Sequence, residues 1–169
     1  MKKHMCLLVL IIFCFCLVQT ATAQTPTVPQ LTPSMFAVTT NKAKYNVGEE
    51  IKIMVTNLSK TRVRFDSYQS PRCAVQRWVA EKNIWSGVPS VACSCSGDVQ
   101  CNMSEAYIEP GKTFLESWSQ VTSWCDGDNE KVAPAKAGKY RVLCPLNEIS
   151  SSANRVEMMS KEFEIGKDI

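Results

Sequence analysis

The sequence predicts an all-β fold, an immunoglobulin-like antiparallel β-sandwich stabilised by disulfides. Three observations carry that prediction. Short alternating apolar runs recur between turn signals from residue 34 onward. No window holds a helical apolar stripe longer than two turns. Six cysteines follow a leader of secretory type, the pattern of a small exported domain.

The leader comes first. Lys2 and Lys3 make a basic start, and Cys6 to Val18 is an unbroken apolar run of 13 residues. Ala21-Thr22-Ala23 supplies the small residues a signal peptidase reads, so cleavage is expected before Gln24, leaving 146 of 169 residues. The run falls short of the roughly 20 apolar residues that span a bilayer. No second apolar run follows, so no membrane span is expected after cleavage. Residues 24–33 hold three prolines and no charge and read as an extended linker. The sandwich domain is assigned to residues 34–169.

Met35 to Thr40 is strand-like, and 41–48 is a turn-rich connection. Glu50 to Thr56 alternates with Ile51, Ile53 and Val55 on one face, and Arg62 to Phe65 alternates again. Cys73 to Ala80 puts Cys73, Val75 and Val79 on one face, and Asn83 to Ser86 follows a tight turn. Glu105 to Ile108, Thr113 to Val121, Lys139 to Cys144 and Val156 to Ile165 complete the set. Pro110-Gly111 suits a type II turn, and Pro145 is expected to end the strand before it. Residues 150–154 are polar and read as a surface hairpin loop.

Composition excludes several functions. The mature chain carries 17 basic and 16 acidic residues, which leaves no electrostatic footprint for nucleic acid. The single histidine, His4, leaves with the leader. That removes His-based acid–base chemistry, Ser-His and Cys-His nucleophile pairs and His-ligated zinc. No carboxylate pair or Ser-Lys dyad stands out, so an enzyme is not expected.

The mature cysteines are Cys73, Cys93, Cys95, Cys101, Cys125 and Cys144, an even set that reads as three disulfides with 15 possible pairings. Cys93 and Cys95 are too close to bond each other without strain. At most one bond can form among Cys93, Cys95 and Cys101, so one of them must reach Cys73, Cys125 or Cys144. The 87–104 loop is therefore expected to be tied to the body.

Lys44-Tyr45-Asn46-Val47-Gly48-Glu49, followed by Ile51 to Asn57, looks like the opening of many bacterial immunoglobulin-like domains. Val75 to Trp85, Ile108-Glu-Pro-Gly-Lys112, Trp118 and Ala137-Gly-Lys-Tyr-Arg-Val142 then come in an order that resembles the BsuPI-like domain, named for an intracellular proteinase inhibitor. The resemblance covers roughly residues 45–145. It implies a small immunoglobulin-like sandwich and, more weakly, a proteinase-inhibitor role. This chain departs from the pattern in its leader, its six cysteines and its insertion Gly87 to Ser104.

That insertion is the most unusual segment. A stapled loop presenting Val88, Pro89, Ser90 and Val91 suits a protein partner, a protease in the specific version, because pre-organisation lowers the entropy cost of binding. The plainer reading is a loop stapled for stability alone. Cys93, Cys95, Cys101 and Met103 also form a soft-donor set suited to Cu(I), which oxidation to disulfides would silence. Trp124-Cys125 begins like a thioredoxin motif but lacks the second cysteine. Asp126, Asp128 and Glu130 gather carboxylates, with spacing that fails the calcium loop. Among the aromatics Trp78, Trp85, Trp118, Trp124, Tyr68 and Tyr107, Trp124 is the expected surface anchor because it sits in a polar stretch. Asn57-Leu-Ser59 and Asn102-Met-Ser104 fit the glycosylation pattern.

The function expected from these readings is an exported, non-catalytic protein-binding module, secreted or periplasmic, with no cofactor. The partner surface is assigned to the 87–104 and 122–136 loops. The alternatives are an envelope-associated structural domain with no dedicated partner site, and a copper-binding loop.

Overall fold

The computed structural model describes residues 31–66, 71–96, 104–149 and 151–166. The expected leader, most of the linker, Tyr68, Cys101, Asn102 and Met103 lie outside these residues. The described strands are β1 (Phe36–Thr40), β2 (Lys44–Tyr45), β3 (Ile51–Asn57), β4 (Val63–Phe65), β5 (Ala74–Val79), β6 (Ile84–Gly87) and β7 (Tyr107–Ile108). They continue with β8 (Thr113–Trp118), β9 (Val121–Asp126), β10 (Asn129–Pro134), β11 (Gly138–Glu148), β12 (Ser151–Met159) and β13 (Phe163–Ile165).

The chain is an all-β, mostly antiparallel sandwich of more than one sheet. One sheet has the order β1-β3-β8. The larger sheet runs β2-β13-β11-β4-β7, with β12 and β5 also on β11 and β6 on β5. Pairing is antiparallel except where β2 meets β13. A separate two-stranded sheet, β9 with β10, completes the fold.

Alternation places the core. Ile51, Ile53 and Val55 of β3 are buried while Lys52 is exposed. Tyr140, Val142, Cys144 and Leu146 line the inner face of β11, and Val63 and Phe65 that of β4. Each such side chain contributes roughly 1.5–3 kcal/mol on burial. Phe65 packs on Phe114 across the sandwich, ring centroids 4.7 Å apart. A row of rings, Tyr45, Phe163, Tyr140 and Trp118, links β2, β13, β11 and β8 at 5.6–5.9 Å spacings. Leu31, inside the expected linker, packs into this core.

Several boundaries differ from expectation. The strand 139–144 continues through Pro145 to Glu148. Pro145 sits where the neighbour of β11 changes, between the pairs Leu143–Ala74 of β5 and Leu146–Phe65 of β4. A missing N–H costs little in that gap, and the Pro145 carbonyl still accepts the Asp66 N–H at 3.1 Å. The expected 150–154 loop is mostly strand, because β12 begins at Ser151 after a register shift at Asn147/Glu148. The expected strand 156–165 breaks into β12 and β13 at Ser160, which bonds Val142 through both its N–H and its hydroxyl, each at 2.9 Å.

The largest correction lies at 113–136. The strand from Thr113 stops at Trp118, and Gln120 takes a left-handed φ of 57°. Such a conformation costs about 1–3 kcal/mol. Buried bonds offset it: the Gln120 Oε1 accepts the Gly48 N–H at 2.9 Å, and its Nε2 donates to the Asn46 and Glu49 carbonyls at 2.8 Å. The Gln120 carbonyl accepts the Ala135 N–H at 2.7 Å. One side chain therefore roots the following hairpin on the 46–49 turn. That turn is closed by Glu49, which accepts the Asn46 N–H at 3.1 Å and pairs with Lys42. The Lys42 ammonium, then the Asn46 N–H, hold the Glu49 carboxyl below its ordinary value.

Candidate binding surface

The expected 122–136 loop is the hairpin β9–β10. Asp126 pairs with Asn129 across the two-residue turn Gly127-Asp128. Gly127 has φ of 60° and Asp128 does not share the positive φ, the pattern of a type II′ turn. The carboxylates near it do not converge. Asp126 pairs with Asn129 and Glu130 with Cys125, so Asp126 and Glu130 project from opposite faces of the ribbon. No group of three metal-ligating side chains occurs among the described residues.

The 88–96 segment lies along the free edge of β9. The Val88 N–H donates to the Val75 carbonyl at 2.8 Å, which ties the segment to β5. The Ser123 N–H donates to the Pro89 carbonyl at 3.0 Å, and the Val91 N–H donates to the Ser123 hydroxyl at 2.8 Å. Ser123 thus holds the segment from both its backbone and its side chain. The disulfide Cys95–Cys125 closes the far end, with Cα atoms 5.3 Å apart. This is the expected bond from the Cys-rich loop to the body.

Cys73 and Cys144 form a second disulfide, buried inside the larger sheet between facing strands, Cα atoms 4.4 Å apart. Cys93 is disulfide-bonded as well. Oxidised sulfur gives no thiolate, so neither Cys93 nor Cys95 offers the soft-metal donor considered above, and Cys125 offers no redox thiol. These bonds belong to an oxidising environment.

The structure brings Val88, Pro89, Ser90, Val91 and Trp124 together. Pro89 and Ser90 are exposed, Val88 and Val91 half-buried. Trp124 stands 44% exposed beside them. A cleft of ≈ 340 Å³ opens on one side, between the loop and Cys73, Glu116 and Trp118. The Glu116 carboxylate accepts the backbone N–H groups of Arg72 and Cys73 at 2.9–3.2 Å there, which fixes the entry to β5. On the other side a crevice of ≈ 410 Å³ separates the loop and the Arg77–Tyr140 face of the large sheet from Thr122 and Trp124 of the hairpin.

The remaining aromatics have other places. Trp118 packs on Tyr140, and its indole N–H donates to the Val121 carbonyl at 3.0 Å. Trp78 and Trp85 face each other across β5 and β6, centroids 5.4 Å apart, and the Arg141 guanidinium lies 4.5 Å above the Trp85 ring. Tyr107 carries the Arg62 guanidinium at 4.0 Å. Asn57 is no glycan acceptor in this fold. Its amide is buried and donates to the Thr61 and Ile108 carbonyls at 2.8 and 2.9 Å.

Sequence reasoning missed Ser123, Gln120 and Arg77. A signal for the hairpin was present: β-branched residues on both sides of Gly127-Asp128, a recognised two-residue turn. The acidic residues around it suggested a loop instead.

No family model and no curated protein matches the chain. Among solved structures it is similar to a β-glucosidase from Listeria innocua, at 12% identity and a TM-score of 0.31, over 78% of this chain and 16% of that one. A second is the β-glucosidase EmGH1 from Erythrobacter marinus, at 12% identity and 0.34, over 78% and 15%. A third is the ASH / PapD-like domain of human CEP192, at 12% and 0.34, over 88% and 98%. The chain spans about a sixth of the glucosidase chains. At these scores the likeness bears on neither activity nor substrate.

Proposed function

We propose that this protein is an exported, non-catalytic protein-binding module whose contact surface is the Val88–Val91 segment together with the β9–β10 hairpin. One observation carries the reading. An exposed, partly apolar segment is held at three points, by Val75, by Ser123 and by Cys95–Cys125, beside the half-exposed Trp124. Such a surface loses little entropy on binding, and a half-exposed Trp is a common anchor. Export is supported by the basic and apolar leader and by the disulfides. No helix among the described residues is long and apolar enough to cross a membrane.

The backbone groups of Val88, Pro89 and Val91 already bond within the molecule. That favours contact through side chains over substrate-like threading into a protease, and it narrows the inhibitor version that the BsuPI resemblance implies. Photo-crosslinking in the native compartment tests the reading. Benzoylphenylalanine at Ser90 and at Trp124 should label one common protein, and the label should be lost when Val88–Val91 become Gly/Ser. A probe at Leu115, 66% exposed on the outer face of the smaller sheet, should not label it. No common product, or equal labelling from Leu115, overturns the assignment and favours a structural envelope role.

A further inference from the structure

The crevice between the hairpin and the large sheet has a chemistry the binding reading does not use. Two cations line it, Arg77 and Lys136, and no Asp or Glu does. Its other walls include Trp124, Val88, Pro89 and Tyr140. Arg77 projects from β5 on the inner face, paired in register with Tyr140. Its guanidinium makes one long hydrogen bond, from Nη2 to the Ala137 carbonyl at 3.4 Å, and its Nε is buried with no acceptor. Neither cation is ion-paired among the described residues. Burial pushes the Tyr140 phenol up against the opposing pull of Arg77, so at pH 7 the phenol is neutral and leaves that positive charge uncompensated. A guanidinium with one long hydrogen bond and no carboxylate partner is short of acceptors, a state that costs free energy unless an acceptor arrives.

The backbone makes room for it. Gly138 has φ of +149°, and a Cβ there would stand 3.4 Å from the Arg77 Nε. The glycine of the Ala137-Gly-Lys-Tyr segment is therefore where the guanidinium is accommodated.

We infer that this crevice is a ligand site for a carboxylate carried on an apolar body, with Arg77 and Lys136 taking the carboxylate and Trp124, Val88 and Pro89 the body. Arginine recognises a carboxylate through its planar fork, and Lys136 adds a point charge at the rim. A volume of ≈ 410 Å³ falls in the range of small-ligand sites and suits one aromatic or branched group. The inference rests on the acid-free lining and the guanidinium without a carboxylate partner; it shares Trp124, Val88 and Pro89 with the proposed contact surface, but its titration needs no protein partner and so is decided separately.

Two sources share this chemistry, a free organic acid and the carboxyl terminus of a peptide. Calorimetric titration of the full protein, purified after export, separates them with three probes: 4-phenylbutyrate, an N-acetylated tetrapeptide ending in a free phenylalanine, and the same peptide amidated. At least one free acid should bind and the amide should not. Tighter binding of the peptide points to a chain terminus, and tighter binding of phenylbutyrate to a small acid. R77Q should weaken the bound acid about tenfold or more, since a charge-assisted bond is lost. K136Q, on an exposed side chain, should weaken it about threefold. Should R77Q not fold, K136Q and loss of affinity in high salt decide the matter. Equal binding of acid and amide, no binding of any probe, or an affinity untouched by K136Q and salt overturns the inference.

Discussion

Asn57 shows how one side chain ties a sandwich together. It ends β3, is fully buried, and satisfies every polar atom it has. Its amide nitrogen reaches the Thr61 and Ile108 carbonyls, and its Oδ1 accepts the Ser59 N–H at 2.9 Å and hydroxyl at 2.6 Å. Its own backbone N–H and carbonyl bond Lys112 and Gly111 at 3.0 and 2.8 Å. Asn57→Ala leaves the buried Ile108 carbonyl without this donor and the Ser59 N–H without its acceptor, while the Thr61 carbonyl keeps the Ser59 hydroxyl at 3.0 Å. The expected cost is about 2–4 kcal/mol, at roughly 1–3 kcal/mol for each orphaned group with partial relaxation. Denaturant melts of the variant check this; a loss below half a kcal/mol would show that water replaces the amide. Gln120 does the same work for the hairpin root, its left-handed backbone held by three side-chain partners and by the Ala135 N–H on its carbonyl.

At the scale of elements, the β9–β10 hairpin and the 88–96 segment depend on each other. An isolated two-stranded ribbon is marginal in water. This ribbon gains a partner along the free edge of β9 and a covalent stop at Cys125. The bond closes a separation of 30 residues, for which loop-closure entropy gives about 3–4 kcal/mol. The double substitution Cys95→Ser with Cys125→Ser should lower stability by that order while the sandwich stays folded. Limited proteolysis should then cut after residue 91 before any site in β3 or β11. Cleavage at unchanged rate would show that the Ser123 bonds alone hold the segment.

The whole molecule is joined through its two faces. Phe65 from the larger sheet rests on Phe114 from the smaller one, and Trp118 reaches across to Tyr140. Buried Cys73–Cys144 staples β11 to the chain entering β5 within one sheet and adds nothing between sheets. Cohesion of the two layers therefore rests on packing and on a few side-chain bonds, Asn57 to Ile108 and Glu116 to the N–H groups of Arg72 and Cys73. Phe65→Ala should cost about 3–5 kcal/mol by cavity formation. Its thermal midpoint should fall without change in the disulfide bonding, which a melt with mass analysis of linked peptides reads directly. A fall of only a degree or two would place the inter-sheet contact elsewhere.

Local periodicity made the strands of the sandwich legible. Ile51, Ile53 and Val55 alternate because a strand has a period of two, and Pro110-Gly111 closes a turn with Gly111 at φ of 70° because that position requires it. Cysteine parity likewise implied a covalent tie between the Cys-rich loop and the body, since bonds within 93–101 cannot use every thiol. Other features were decided by contacts distant in sequence. Pro145 stays in its strand because two other strands leave a gap there, and Gln120 turns left-handed for acceptors more than 70 residues away. The crevice exists because β5, β11 and the hairpin meet, placing Arg77, Tyr140 and Trp124 on one wall or another of the same space. Alternation in a sequence says which face a residue takes. Which partner waits on that face is set by packing, where burial energy is shared among strands that the chain order keeps apart.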